Sequence, residues 1–270
     1  MGGSGIVGEI VKELNYKVVF SKRPISKEFE CVIAITYSGE TIETIGVLKK
    51  MREKARKVIA ITSNESMKGL ADVLVRVKGG LVPRDAFPYL FLATLSVLGM
   101  KREIEEVKET VSATRFNGVQ EISKDIMNFY IVIYSSGYML PIAKRFKEQL
   151  NENSKVFAFL TELPEGFHND VEPFFWRNDP FRAIVIGNDI WEEMASSIIP
   201  NAISIRPPLA GSKVREMIST LLLLDSISIE LASITNVDRI SLKGIPKARK
   251  IMKGFERKVI EKFESEEFEG

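Results

Sequence analysis

ITYSGETIETIGVLKKM, residues 35–51, is the run from which the rest of the chain can be read. A β-rich stretch ends at Thr36, the chain turns through Tyr37, Ser38 and Gly39, and a helical pattern begins near Thr41 with Glu43 in its first turn. Free N–H groups and the dipole at a helix start favour an anion there. The hydroxyls of Thr36, Ser38 and Thr41 can donate to phosphate oxygens, and Gly39 lets the backbone come close. Ser and Thr are also ordinary N-caps, so the residues alone describe a capped helix after a strand equally well.

Outward from this turn the chain alternates short β-rich runs with longer helical ones. Strands are expected at YKVVF (16–20), ECVIAIT (30–36), KVIAIT (57–62) and VLVRV (73–77). A second set follows at FYIVIYS (129–135), KVFAFLTE (155–162), FRAIVIG (181–187) and AISIR (202–206). Helical patterns cover 41–55, 88–112, 138–152, 189–198 and 212–234. Continuous apolar strands separated by helices indicate an α/β fold with parallel sheets covered on both faces. The series runs twice, joined by the strandless stretch 88–128. Two α/β domains are therefore expected, 1–115 and 116–236, followed by a helical tail, 237–270. Each domain has a strand running into a small polar turn, ITYSGET (35–41) and IYSSGYM (133–139). Ligands of open parallel sheets sit at the carboxyl ends of strands, where both turns fall. A second glycine-serine turn, Gly2–Gly3–Ser4–Gly5, leads into the helical pattern IVGEIVKEL.

Composition narrows the class of function. Apolar residues make up 45% of the 270, charged residues 27%, and the formal net charge is only +2, with the two signs interleaved. Nothing in that balance calls for a nucleic-acid or membrane partner. The apolar run 219–234 is interrupted by Asp225 and Glu230 and reads as a buried helix. The start MGGSGIVGEI lacks the charged region and long apolar core of a signal peptide. A single cysteine, Cys31, rules out an intrachain disulfide and suits a reducing cytoplasm. His168, the sole histidine, stands in LPEGFHNDVEPF (163–174), a stretch too broken for a helix core.

Several runs, in order, resemble one family. GGSGIVGE (2–9), YSGETIET (37–44), VPRDAFPYLF (82–91), RFKEQLNENSK (145–155) and LPEGFHNDVEPF are similar to the archaeal-type bifunctional phosphoglucose/phosphomannose isomerases, built of two SIS (sugar isomerase) domains. The resemblance spans nearly the whole length. It implies a homodimer with active sites at the subunit interface, a hexose 6-phosphate substrate, and neither metal nor organic cofactor. It also implies roles for particular residues. Thr36, Ser38 and Thr41 would hold the phosphate, and Gly3 and Ser4 the floor of the sugar site. Glu152 would move the proton between C1 and C2, and Arg84 would stand beside the enediolate. His168, donated by the partner subunit, and Lys247 in GIPK would open the sugar ring.

The chain departs from the family pattern twice. Family members carry a strand before the G-G-S turn, whereas here the turn follows Met1 directly. Either a start upstream of Met1 or a first sheet lacking that strand is expected, the latter leaving an exposed edge. In the tail, NVDRISLKGIPK places Ile240 where the family has a threonine beside C2, which puts dual glucose and mannose specificity in doubt. The competing readings are an SIS isomerase of another phosphosugar and a non-catalytic phosphosugar-binding protein. The latter usually carries a DNA-binding helix-turn-helix, for which the chain has neither spare length nor a basic domain.

Overall fold

The computed structural model describes residues 2–15, 17–176 and 180–265. The chain divides into two compact units, Met1–Lys101 with Leu242–Gly270, and Arg102–Ser241. Each is a parallel sheet between layers of helices.

The first unit contains α1 (Gly3–Leu14), β1 (Phe29–Ile35), α2 (Ile42–Arg52), β2 (Ala55–Thr62), β3 (Val73–Arg76) and α3 (Phe87–Val97). Its sheet has the order β1–β2–β3, all parallel. Strand side chains alternate between the faces. Val32, Ala34, Val58 and Ala60 pack with Ile45 and Leu48 of α2. α1 and α3 pack together on the other face, burying Ile6, Ile10, Leu90 and Leu95.

The second unit begins in α4 (Lys101–Ala113) and runs through α5 (Val119–Ile126), β4 (Tyr130–Ser135), α6 (Leu140–Gln149), β5 (Ala158–Glu162), α7 (Pro173–Trp176), β6 (Phe181–Ile186), α8 (Ile190–Ile198), β7 (Ile203–Ile205) and α9 (Lys213–Ile234). The sheet order is β5–β4–β6–β7, again wholly parallel. Tyr134, Ala183 and Val185 pack with Ala195 of α8, with Ile199 just after it, and with Phe167 and Phe174. Ile131, Ile133, Ile184 and Ile186 are fully buried on the opposite side. α9 is long and apolar enough to cross a membrane, yet its Leu221, Leu224, Ile227 and Leu231 are buried and it packs on α5 and α6. Asp225, which breaks its apolar run, pairs at 2.6 Å with the buried Arg145 of α6. The chain then returns to the first unit as α10 (Gly244–Gly254) and α11 (Glu256–Ser265). α11 lies on α2, and Gly46 makes the approach close, since a Cβ there would sit 3.2 Å from the Phe263 ring.

Three expectations need correction. The run 16–20 is not a strand among its described residues; Tyr16 lies outside them. The Lys17 N–H turns back to the Asn15 side chain (3.0 Å) and the Val18 N–H to the Asn15 carbonyl (3.0 Å), so neither can join a ladder. Phe20 instead fits against Gly8 of α1, where a Cβ would lie 2.4 Å from its ring. The first sheet therefore has three described strands, with β1 at its edge. A cavity of about 510 Å³ runs along that edge, lined by Gly8, Val11, Phe20, Phe29, Ile33 and Val97 among others. Secondly, the helical stretch 88–112 breaks at Gly99, whose φ of +70° ends α3 while the Met100 N–H reaches the Leu95 carbonyl (2.9 Å). Thirdly, the units divide within α4, not at 115–116. α4 is tied to the second unit by Glu106, which accepts from the Ser212 hydroxyl at 2.5 Å, and by the Arg215–Glu109 pair.

Candidate active site

Six of the residues singled out from sequence lie around the turn after β1 and the segments that meet it in the first unit. After β1 the Thr36 hydroxyl accepts the Gly39 N–H at 3.2 Å and the residue is 2% exposed, so its oxygen braces the turn from inside. The Ser38 hydroxyl accepts the Glu40 N–H (3.3 Å), and Gly39 takes φ +65°. Thr41 is the N-cap of α2 with an extended backbone, and its side chain makes no capping bond. The first intrahelical bond runs from the Ile45 N–H to the Thr41 carbonyl. The N–H groups of Ile42, Glu43 and Thr44 are therefore presented beyond the helix end, where an anion is favoured.

A second uncapped helix start faces the same region. α1 begins at Gly3, behind Gly2 at φ +53°, without a side-chain cap. The Ser4 hydroxyl accepts the Tyr37 N–H at 3.3 Å, bringing this start onto the turn after β1. Arg84 sits in the 3-10 turn Pro83–Ala86, where it is 4% exposed. A Cβ on Gly3 would lie 3.9 Å from the Arg84 Cα, so α1 and this turn are in contact. Two helix N-termini, two accessible hydroxyls and the turn that carries the buried Arg84 thus meet at the carboxyl edge of one sheet. Two such helix starts favour an anion beside them.

Sequence reasoning missed the loop after β2. The Asn64 amide donates to the Ser38 carbonyl at 2.6 Å, and its oxygen accepts the Ser66 N–H (2.9 Å) and hydroxyl (2.5 Å). Residues 62–66, TSNES, follow a strand with a run of hydroxyl and amide side chains, and that run was the available signal.

The second unit carries Glu152, His168 and Ile240. Glu152 lies in a π-turn, Leu150–Ser154, that ends α6. The turn is pinned to α9 by Asn153 to the Ser228 hydroxyl (2.9 Å) and by the Ser154 hydroxyl to the Ser228 carbonyl (2.7 Å). π-turns inside helices are frequent at functional positions. His168 is exposed in the 3-10 turn Glu165–His168, after β5. Asp170 firms that loop, its carboxylate accepting from the Thr161 hydroxyl (2.7 Å) and its carbonyl from Tyr134 (2.8 Å). Glu152 precedes β5 and His168 follows it. The strand spans about 16 Å at ~3.3 Å per residue, so the two stand at opposite edges of this sheet. Ile240 is 49% exposed beyond α9, and Lys247 is exposed on α10 of the first unit. Of the aromatics 174–176, Phe174 packs on Tyr134 while Phe175 and Trp176 are exposed.

Comparison with known proteins gives this geometry a context. Residues 117–252 match the bacterial phospho-glucose isomerase C-terminal SIS domain, and residues 11–99 match the SIS domain. The chain is 33% identical to the D-glucosamine-6-phosphate 4-epimerase of Sulfolobus acidocaldarius, over 92% of this chain and 86% of that protein. It is 29% identical to the bifunctional phosphoglucose/phosphomannose isomerase of Thermoplasma volcanium, over 93% and 88%. In fold it is similar to the C-terminal domain of glucosamine-fructose-6-phosphate aminotransferase from Francisella tularensis, with TM-score 0.68, 17% identity and coverage of 90% and 84%.

Proposed function

The chain belongs to the SIS-domain sugar-phosphate isomerases, with a second domain of the bacterial phospho-glucose isomerase type, and from that premise we propose that it interconverts glucose 6-phosphate and fructose 6-phosphate. The observation that carries the proposal is the convergence of the two uncapped helix starts and Arg84 at one sheet edge. Ser38, Thr41 and the α2 amides hold the phosphate dianion, with Thr36 bracing the turn behind them. Gly3 and Ser4 lie under the sugar.

Ring opening needs a proton delivered to the ring oxygen and one removed from the anomeric hydroxyl, which we assign to His168 and Lys247. Glu152 then removes the C2 proton of the open aldose. The electron pair moves into the C1–C2 bond as an enediolate with the charge on O1, Arg84 stabilises the negative oxygen, the O2 proton passes to O1, and return of the proton from Glu152 to C1 gives the ketose. Glu152 and His168 stand at opposite edges of one sheet, which supports a dimer in which each reaction draws its histidine from the partner chain. The single cysteine supports a cytoplasmic enzyme.

A second reading has its own support. By the resemblance, Ile240 would fall where the family has a threonine beside C2, and the similar Sulfolobus protein is a D-glucosamine-6-phosphate 4-epimerase. The same cradle and ring-opening groups would serve that substrate. Separate incubations with glucose 6-phosphate, mannose 6-phosphate and glucosamine 6-phosphate, with chelator present and products identified by NMR, distinguish the two. Fructose 6-phosphate is expected from glucose 6-phosphate, with a fall of about a thousandfold in Glu152→Gln. Exclusive formation of galactosamine 6-phosphate from glucosamine 6-phosphate would transfer the assignment to the epimerase. Turnover of none of the three overturns both.

A further inference from the structure

The hydrogen bonds around the cradle converge on a residue with no role so far. Tyr37 is 7% exposed between Thr36 and Ser38. Its N–H donates to the Ser4 hydroxyl, and its carbonyl accepts the Ser63 hydroxyl (2.7 Å), the Ser63 N–H (2.9 Å) and the Thr62 hydroxyl (3.2 Å). Its phenolic oxygen accepts the Leu81 N–H at 2.8 Å, immediately before the turn that carries Arg84. One residue therefore touches the start of α1, the loop after β2 and the approach to Arg84, while its own chain neighbours form the cradle.

We infer that Tyr37 is a positioning residue that locks the Arg84 turn to the phosphate cradle, fixing the distance between the held phosphate and the guanidinium. The physical reason is the placement of its hydroxyl. The backbone on either side of Tyr37 is fixed by the turn, the ring is rigid, and the Leu81 amide is the first point of the Arg84 segment that it reaches. A phosphate that orders residues 36–41 thereby orders residues 81–84. Charge stabilisation at a developing enediolate depends steeply on such placement, and a shift of about 1 Å can cost on the order of a hundredfold.

The kinetic consequence rests on the isomerase reading; the coupling itself does not. Tyr37→Phe removes one oxygen and keeps the ring. It is expected to lower kcat by at least about tenfold while KM for glucose 6-phosphate stays within about twofold, the pattern of an interaction made only in the transition state. In an Arg84→Ala background, Tyr37→Phe is expected to add no further loss of kcat, because the two act as one unit. Independently of turnover, hydrogen exchange at the Leu81 amide is expected to slow on addition of inorganic phosphate in the wild type and to stay fast in Tyr37→Phe. An unchanged kcat, a rise in KM alone, additive losses with Arg84→Ala, misfolding of Tyr37→Phe, or a Leu81 amide indifferent to phosphate in the wild type each overturns the inference. A wild type that turns over no phosphosugar yet shows the phosphate-dependent Leu81 protection overturns the isomerase reading and leaves the coupling standing.

Discussion

Gly39 takes a left-handed φ of +65°, and a Cβ there would sit 1.9 Å from the Ser66 hydroxyl. An L side chain in that region costs about 1–2 kcal/mol from its own backbone, before Ser66 is turned away from Asn64. Gly39→Ala is therefore expected to raise KM for the phosphosugar by about tenfold or more with a smaller change in kcat, as steady-state kinetics would show. Ser38, Gly39 and Thr41 could be named from sequence because strand-turn-helix chemistry is local. Thr36 was legible as part of the turn, but its orientation was not, since burial of its hydroxyl depends on the Gly39 amide folding back onto it. The bracing contacts of Tyr37 and Asn64 were not legible for a related reason. Their partners, Leu81 and the Ser38 carbonyl, lie 44 and 26 residues away in the chain, and no local pattern encodes such pairs.

At the scale of elements, the alternation of apolar runs located every described strand and added one at 16–20, where Phe20 packs on Gly8 of α1 while Val19 is exposed. Periodicity likewise showed the helical stretch 88–112 but not its break, because the deciding feature is the backbone of Gly99. The π-turn at Glu152 had no sequence signature; it is set by the contacts of Asn153 and Ser154 with α9. Elsewhere in the second unit, α4 meets the start of α9 through Glu106. Its carboxyl is held below the ordinary carboxylate range, chiefly by the Ser212 hydroxyl and then by Arg102, against the opposing effect of burial. A carboxyl lowered on folding adds stability that is complete above its unfolded value, roughly pH 4.3, and is lost as pH falls through the folded one. Thermal melts of wild type and Glu106→Gln are expected to differ near pH 7 and to converge below that window. A constant gap at every pH would remove this link.

Across the whole molecule, composition and the doubled strand series gave the two-domain α/β architecture, which the SIS matches share. The path of the tail was not legible, because α11 packs on α2 through the absence of a side chain at Gly46 rather than through any motif. The apolar cavity beside β1 has a practical consequence. Its volume of about 510 Å³ is ample for a naphthalene ring system, and Lys17, Lys22 and Arg23 line it alongside the apolar side chains. An anionic fluorescent dye of the anilinonaphthalene sulfonate type is therefore expected to bind and brighten on the fully folded protein, with native circular dichroism unchanged. In a thermal-shift screen such emission would begin high and fall on heating, so a descending trace would mark a folded sample where a rising one is ordinarily sought.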